Sequence, residues 1–452
     1  MFAGGFTHAN PFYSGYLQEN VDSFDFTSSY PYVMLSEKFP MSRPELIEIK
    51  SEEDFRRNLR IYACMFDVTF VNLKPKVYYE NYISLSKCRK IKNVEENNGR
   101  VVQATELTIS ITEQDFQIIE RFYSWEKMKI SNFRRMVKEY LPKDLILSIL
   151  DLYKKKTELK DVEEFIVEYM VSKNMINAVF GMTVTDICRD DIIYSNGVWS
   201  TQKADYENSL NKYNSSMKRF LYYPWGIWIT AYARKNLFTG IYEFAEDYRY
   251  SDTDSIKVVN KHKHEDYINR YNESVRQKLK KMCDYYNIDI NLTKPKNKKG
   301  EEKELGIWEW EGTYTRFKTL GAKRYLTEKE LVNKKTGIKE KVLTLTVSGV
   351  NKKNAINYLI ETYGYDGVFD AFNDELLIPA KYINKEGFEE SATGKMTHTY
   401  IDDEKEITLT DYLGNEHTQI ELSGIHLEDC DYNLSLSEIY IDFLLGIRDM
   451  IY

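Results

Sequence analysis

Along residues 21–35 (VDSFDFTSSYPYVML) apolar and polar positions alternate into a Pro-containing turn and then become apolar again, which predicts a strand running into a short helix. Residues 61–71 (IYACMFDVTFV) predict a second strand, and about 113–181, with Glu and Lys prominent on polar positions, predict a helix-rich stretch. Residues 221–247 predict a long aromatic helix after Pro224, and 247–259 (DYRYSDTDSIKVV) two short β segments around a tight polar turn. An amphipathic helix follows at 265–287, then a solvated basic loop, KPKNKKGEEKE, at 294–304. Trp308 to about Val347 is strand-rich, interrupted by the turn segment VNKKTG; a helical pattern returns from Asn351 to Phe372. Residues 375–452 mix short strands with a final apolar helix. Strands and helices alternate irregularly and without a repeat of fixed period, which favours an α+β fold over a doubly wound sheet or a solenoid.

Length and charge change this picture little. The 452 residues suggest about three domains if the units are contiguous, a count that interleaved subdomains would break. The net charge of −8, from 62 basic and 70 acidic side chains, argues mildly against a nucleic-acid partner, although a local basic channel matters more than the sum. No apolar run approaches the roughly 18 residues of a membrane span, and MFAGGFTHAN lacks the layout of a secretory signal. Cys64, Cys88, Cys188, Cys283 and Cys430 are scattered without metal-finger spacing, which suits reduced thiols in a cytoplasmic protein.

Three segments carry candidate chemistry. In YSDTDSIKVV, Asp252 and Asp254 are two apart, and alternation along an extended chain would send both carboxylates to one face. Crowded carboxylates repel unless cations sit between them, and hard divalent ions such as magnesium want oxygen ligands. Alone, the pair fits an Asp-rich surface turn better. In DFTSSYPYVM, Asp25 ends a strand and the turn returns Tyr30 beside it. With Asp25 near the hairpin tip, three carboxylates could hold two ions about 3.5–4 Å apart for an in-line displacement. In the third, Lys173, Asn177 and Gly181 fall at i, i+4 and i+8, along one helix face. An exposed lysine on a core helix that ends at Gly181 is the plainer reading of that spacing.

In order, DFTSSYP, K-x-x-x-N-x-x-F-G and Y-S-D-T-D-S closely resemble motifs A, B and C of family B DNA polymerases. GAKRYL at 321–326 resembles that family's K-x-Y motif, and FAGGF at 2–6 its Y-x-G-G segment. Within the family the chain is most similar to the protein-primed polymerases of bacteriophages and linear plasmids, through YYPWGIWITAYAR at 222–234 and the Lys156–Thr157 pair. The resemblance implies a right-hand fold: an antiparallel palm sheet, helical fingers, a small thumb and two insertions in the palm. The implied boundaries are 1–20 for a linker, 21–155 for palm with the first insertion, 156–187 for fingers, 188–221 for the second insertion, 222–347 for palm and 348–452 for thumb and C-terminal region.

It also implies roles. Asp25 and Asp254 would be the principal metal ligands for two Mg2+ (or Mn2+) ions, with the Phe26 carbonyl completing one and Asp252 in support. Tyr30 would exclude a 2′-hydroxyl, Lys156 and Lys173 would neutralise the triphosphate, and Asn177 and Phe180 would line the base-pair pocket. Lys323 and Tyr325 would grip the primer end; Gly4 and Gly5 would meet DNA. Implied partners are primer-template DNA, deoxynucleoside triphosphates and a terminal priming protein; because only Met1 precedes FAGGF, the expectation is either a separate exonuclease polypeptide or a sequence that is a fragment, and no membrane partner is implied. Lys352, Lys353 and Lys395 are thumb candidates. The chain departs from the family at Ser29, Ala178, Phe180 and Phe2; lost hydroxyls remove hydrogen bonds worth about 1 kcal/mol each, which predicts altered nucleotide affinity rather than inactivity. A structural subunit without activity and an RNA-dependent palm enzyme are the competing readings. Intact Asp25, Asp252 and Asp254 argue against the first, and Tyr30 against the second.

Overall fold

The computed structural model describes residues 1–452 apart from 196–197, 218, 220–221, 334–336, 395, 401–403, 411–413, 423–424 and 452. Lys395 and the middle of the VNKKTG turn therefore lie outside the described residues.

A seven-stranded antiparallel sheet organises the chain, in the order Thr7–Ala9, Tyr248–Asp252, Ser255–Val258, Gln18–Phe26, Trp308–Gly321, Arg324–Val332 and Lys339–Val347. Its central strand, Gln18–Phe26, alternates strictly where it matters. Phe24 and Phe26 face one side, packed with Phe244 (ring centroids 6.2 Å apart) and Trp308 (3.5 Å, stacked) under the helices Tyr223–Phe244 and Glu265–Tyr286. Ser23 and Asp25 necessarily face the other side. Each such aromatic, almost fully buried, contributes roughly 1.5–3 kcal/mol. The fold thus secures one face of the sheet with apolar contacts and leaves the other polar.

A second sheet grows out between the helices Ser29–Ser36 and Lys143–Glu158: Glu45–Leu46, Lys127–Met136, Ala63–Pro75, Arg100–Thr112 and Cys88–Asn97, with Tyr123–Ser124 pairing beside Ala63–Pro75. The helix Glu113–Phe122 covers it, started by a reciprocal capping box of Thr112 and Asp115. This corrects the helix-rich expectation for 113–181, because Lys127–Met136 is a strand. Its Lys127 and Lys129 are exposed and its Arg134 and Arg135 half-buried, while Phe133 and Met136 are buried, and its partner supplies the ladder from Ala63↔Met136 to Val71↔Lys127. The neighbouring strand begins at Ala63 rather than Ile61, since Ser51 caps a helix running Glu52–Ile61.

Farther along, Lys143–Glu158 and Ile166–Thr183 form a helical pair, followed by the hairpin Asp191–Ser195 and Val198–Gln202. Beyond the large sheet, the helix Lys352–Ala371 is broken at Gly364, whose φ of 72° ends the helical path. Leu345, Leu359, Phe369 and Phe372 bury a separate core there. Among the described residues no helix is long and apolar enough to cross a membrane.

Candidate active site

The polar face of the large sheet gathers the acidic residues. Ladder register sets Asp25 opposite Ser255 on one side and Glu309 on the other, so Asp25 lies beside the turn that carries Asp254. The Phe26 N–H donates to the Asp254 carbonyl oxygen (2.8 Å), locking the strand end to the turn. Between Asp252 and Ser255 only Thr253 and Asp254 close the hairpin, and Thr253 is left-handed (φ 57°). The two aspartates are therefore joined through a tight turn rather than along an extended chain: Asp252 ends a strand, and Asp254, in the turn, is the leading charge acting on Asp25.

Electrostatics follow from that geometry. Burial, then the Asp254 charge, pushes the Asp25 carboxyl up to about 8, with Glu311 and Glu309 adding and Lys257 opposing. Burial, then Asp252, raises Asp254 to about 6. Two half-buried carboxylates are held together against their repulsion, a donor set that suits a hard divalent cation. Among the described residues, however, no group of three or more His, Cys, Asp and Glu is arranged to hold a metal ion. Asp252 is engaged on both oxygens: Thr7 Oγ1 donates to its Oδ1 (2.9 Å) and Lys323 Nζ holds its Oδ2. The expected carboxylate trio is thus a pair plus an ion-paired neighbour.

Other expected residues converge from different elements. Ser28, itself left-handed (φ 59°), turns the chain from Asp25 into the helix Ser29–Ser36, and Pro31 sits in the first turn where its missing N–H leaves no gap. That places the Tyr30 ring 4.5 Å from Phe180. Lys156 Nζ donates to Ser28 Oγ (2.9 Å); burial, then Lys160 and Lys173, depresses its ammonium, against the pull of Asp25 and Asp254. Lys173 and Asn177 are exposed on Ile166–Thr183, whose buried side carries Ser172 and Ile176. That helix runs on past Gly181 to Thr183, so Gly181 does not end it.

Lys323 is also left-handed (φ 57°); its N–H donates to the Tyr250 hydroxyl (3.0 Å), and the Tyr325 ring lies 5.0 Å from Tyr250. At the N-terminus the two glycines differ. A side chain on Gly5 would meet Thr253 at 2.7 Å, whereas one on Gly4 would meet nothing within 4 Å. The Thr253 N–H donates to the Phe6 carbonyl (2.6 Å), so the hairpin tip and the FAGGF segment are one unit.

Sequence reasoning missed the residues behind this front. Lys257, 4% exposed, donates to Ser23 Oγ (2.7 Å), which donates to Glu311 Oε2 (2.9 Å), beneath the aspartates. Period-2 spacing from Asp25 and Ser255 could have placed Ser23 and Lys257 on their face. Arg234 gives no such signal: its guanidinium reaches the Gly4 carbonyl (3.0 Å), Asp115 (2.7 Å), the Tyr82 hydroxyl (2.9 Å) and the Ala3 carbonyl. Burial would raise the Asp115 carboxyl; Arg234 outweighs it and holds it low.

Comparison with known proteins bears on this geometry. The family described as "DNA polymerase type B, organellar and viral" matches residues 1–274. The DNA polymerases of Bacillus phages Nf and M2 are each 26% identical over 328 residues, covering 72% of this chain and 49% of theirs; that of Bacillus phage B103 is 24% identical over 330. The chain therefore spans about half the length of these curated relatives. Among solved structures, Phi29 DNA polymerase complexed with primer-template DNA superposes with a TM-score of 0.63 at 16% identity, over 96% of this chain and 61% of that one. The orthorhombic form of Phi29 DNA polymerase gives 0.59 at 17%, with the same coverage, so the α+β right-hand polymerase fold is shared. With the family signature spanning more than half of its length, the chain belongs to the organellar and viral type B DNA polymerases.

Proposed function

We propose that this chain is a template-directed DNA polymerase that adds deoxynucleotides to a primer 3′-hydroxyl, in protein-primed, strand-displacing replication of phage or plasmid DNA. The observation that carries the reading is the pairing of Asp25 with the strand of the Asp252–Asp254 hairpin, beside Tyr30, Phe180 and Lys156. Two Mg2+ ions held by Asp25, Asp254 and the Phe26 carbonyl would supply Lewis-acid charge to the attacking hydroxyl and the leaving pyrophosphate. Lys156 and Lys173 supply point charges for the triphosphate. Tyr30, braced by Phe180, forms the wall against which a 2′-hydroxyl would clash, and Asn177 borders the same pocket. Lys323 and Tyr325 hold the primer end from the strand beyond, where Asp252 and Tyr250 orient them. Gly4 and Gly5 let the backbone approach the template; the sheet Glu45–Met136 and the hairpin 191–202 meet the priming protein and enclose the duplex. Domain roles follow the same lines: palm for the large sheet, fingers for 156–187 and thumb beyond 347.

The test is primer extension with magnesium on a circular template carrying a downstream duplex. Asp254→Asn should lower incorporation about 10³-fold or more while the protein still binds primer-template. A wild-type chain that incorporates nothing would leave a structural subunit as the better reading, and an Asp254→Asn variant as active as wild type would move the chemistry away from this carboxylate pair.

A further inference from the structure

A cleft of about 580 Å³ opens away from the candidate active site and shares no lining residue with it. The end of the helix Ser29–Ser36, the helices Glu52–Ile61, Glu113–Phe122 and Tyr223–Phe244, and the segment Lys138–Tyr140 enclose it. Five cations line it (Lys38, Arg56, Arg60, Lys138, Lys235) against two carboxylates, Glu37 and Glu120, in a chain whose net charge is −8.

Pairing makes the imbalance sharper. Glu37 is taken by Lys278 (2.5 Å), Glu120 by Arg56 (2.5 Å), and Lys38 by Glu139 (2.8 Å). Among the described residues the side chains of Arg60 and Lys138 have no hydrogen-bond or ion-pair partner. Lys235 Nζ has only the neutral Gln114 Oε1 (2.9 Å), and burial lowers its ammonium to about 8. Glu37 and the fully buried Glu113 act on it as opposing charges without an ion pair; Glu113 accepts from Trp228 Nε1 (3.0 Å) and the Cys64 N–H (2.9 Å), and burial raises its carboxyl while Lys138 lowers it. Among the described residues three cations outside any ion pair, one of them partly desolvated, thus border one concavity. Water compensates such an arrangement poorly, whereas a multivalent oxyanion would accept from all three.

We propose that this cleft binds a compact polyphosphate, carried by free pyrophosphate or by a nucleotide. The volume lies within the roughly 300–1,000 Å³ of small-ligand sites, and Phe116, Tyr140 and Tyr232, each under 9% exposed, give it rigid walls rather than stacking platforms. Recognition therefore rests on phosphate oxygens.

Isothermal titration of the full chain without divalent metal tests this, with pyrophosphate in one arm and dATP in the other. One site should titrate with pyrophosphate; a dATP affinity no better than pyrophosphate assigns the phosphates alone, and one more than tenfold tighter assigns the nucleotide as source. Arg60→Ala/Lys138→Ala, at exposed and half-buried positions, should weaken binding at least tenfold with thermal stability and primer extension unchanged. Lys173→Ala should leave the titration as it was. Absence of binding, wild-type binding in the double variant, or loss in Lys173→Ala would each overturn the proposal. Because the readout is binding, a chain inactive in primer extension leaves it standing.

Discussion

Two adjacent glycines show how far a single carbon matters at this site. Gly5 abuts Thr253 in the hairpin tip, where an added methyl would sit 2.7 Å from two side-chain atoms, so the tip or the N-terminal segment must shift. Gly4 faces open space. Gly5→Ala should therefore destabilise the protein by roughly 1–3 kcal/mol and reduce primer extension, because the displaced turn carries Asp254. Gly4→Ala should unfold within about 0.5 kcal/mol of wild type. Paired thermal melts and extension assays check both, and equal effects would mean the contact yields without strain. The same turn marks the limit of reading residues from a sequence. Asp252 and Asp254 were legible as a pair because they lie two apart; their different partners were not. Those follow from the left-handed Thr253 and from Lys323, 71 positions away, which holds the Asp252 carboxylate.

At the level of elements, the strands Trp308–Gly321 and Arg324–Val332 meet the helix Lys352–Ala371 through one carboxylate. Glu328, its side chain wholly buried, accepts from Arg316 (2.5 Å), Thr315 (2.6 Å) and Tyr365 (3.0 Å). Burial alone would raise its carboxyl, but Arg316, Thr315 and Tyr365 outweigh that and hold it at about 2, below the 4.5 of a free side chain. A depressed folded-state value contributes stability that is complete above the free value and is lost as pH falls toward 2. In denaturant titrations wild-type stability should fall on the order of 3 kcal/mol between pH 5 and 2 through this group, and Glu328→Gln should flatten that slope while lowering stability at pH 7. A variant with the wild-type slope would place the proton uptake elsewhere. Local pattern foretold these strands well, because alternation is a property of neighbours. It failed for Lys127–Met136, whose lysines and arginines resemble a solvated helix face until the partner strand is known. It was silent on Arg234, whose partners Tyr82 and Asp115 lie more than a hundred residues upstream.

Across the whole molecule the acidic surplus would oppose DNA at long range, so under the proposed function binding would come from cations placed where phosphates run. Each phosphate neutralised on a duplex releases counter-ions, and the logarithm of affinity falls with that of salt by about 0.9 per contact. Lys323 is the informative case, since its ammonium is shared with Asp252 in the free protein. If it neutralises a primer phosphate, Lys323→Gln should weaken primer-template binding and shallow the salt dependence by about one unit, measured by fluorescence anisotropy between 50 and 200 mM salt. If it instead serves only to restrain Asp252, the same variant should lower incorporation with the salt slope unchanged, because no counter-ion release depends on it. The free Asp252 carboxylate would then face Asp254, whose carboxyl burial and Asp252 already raise. The slope therefore separates a residue that grips DNA from one that shapes the acidic pair.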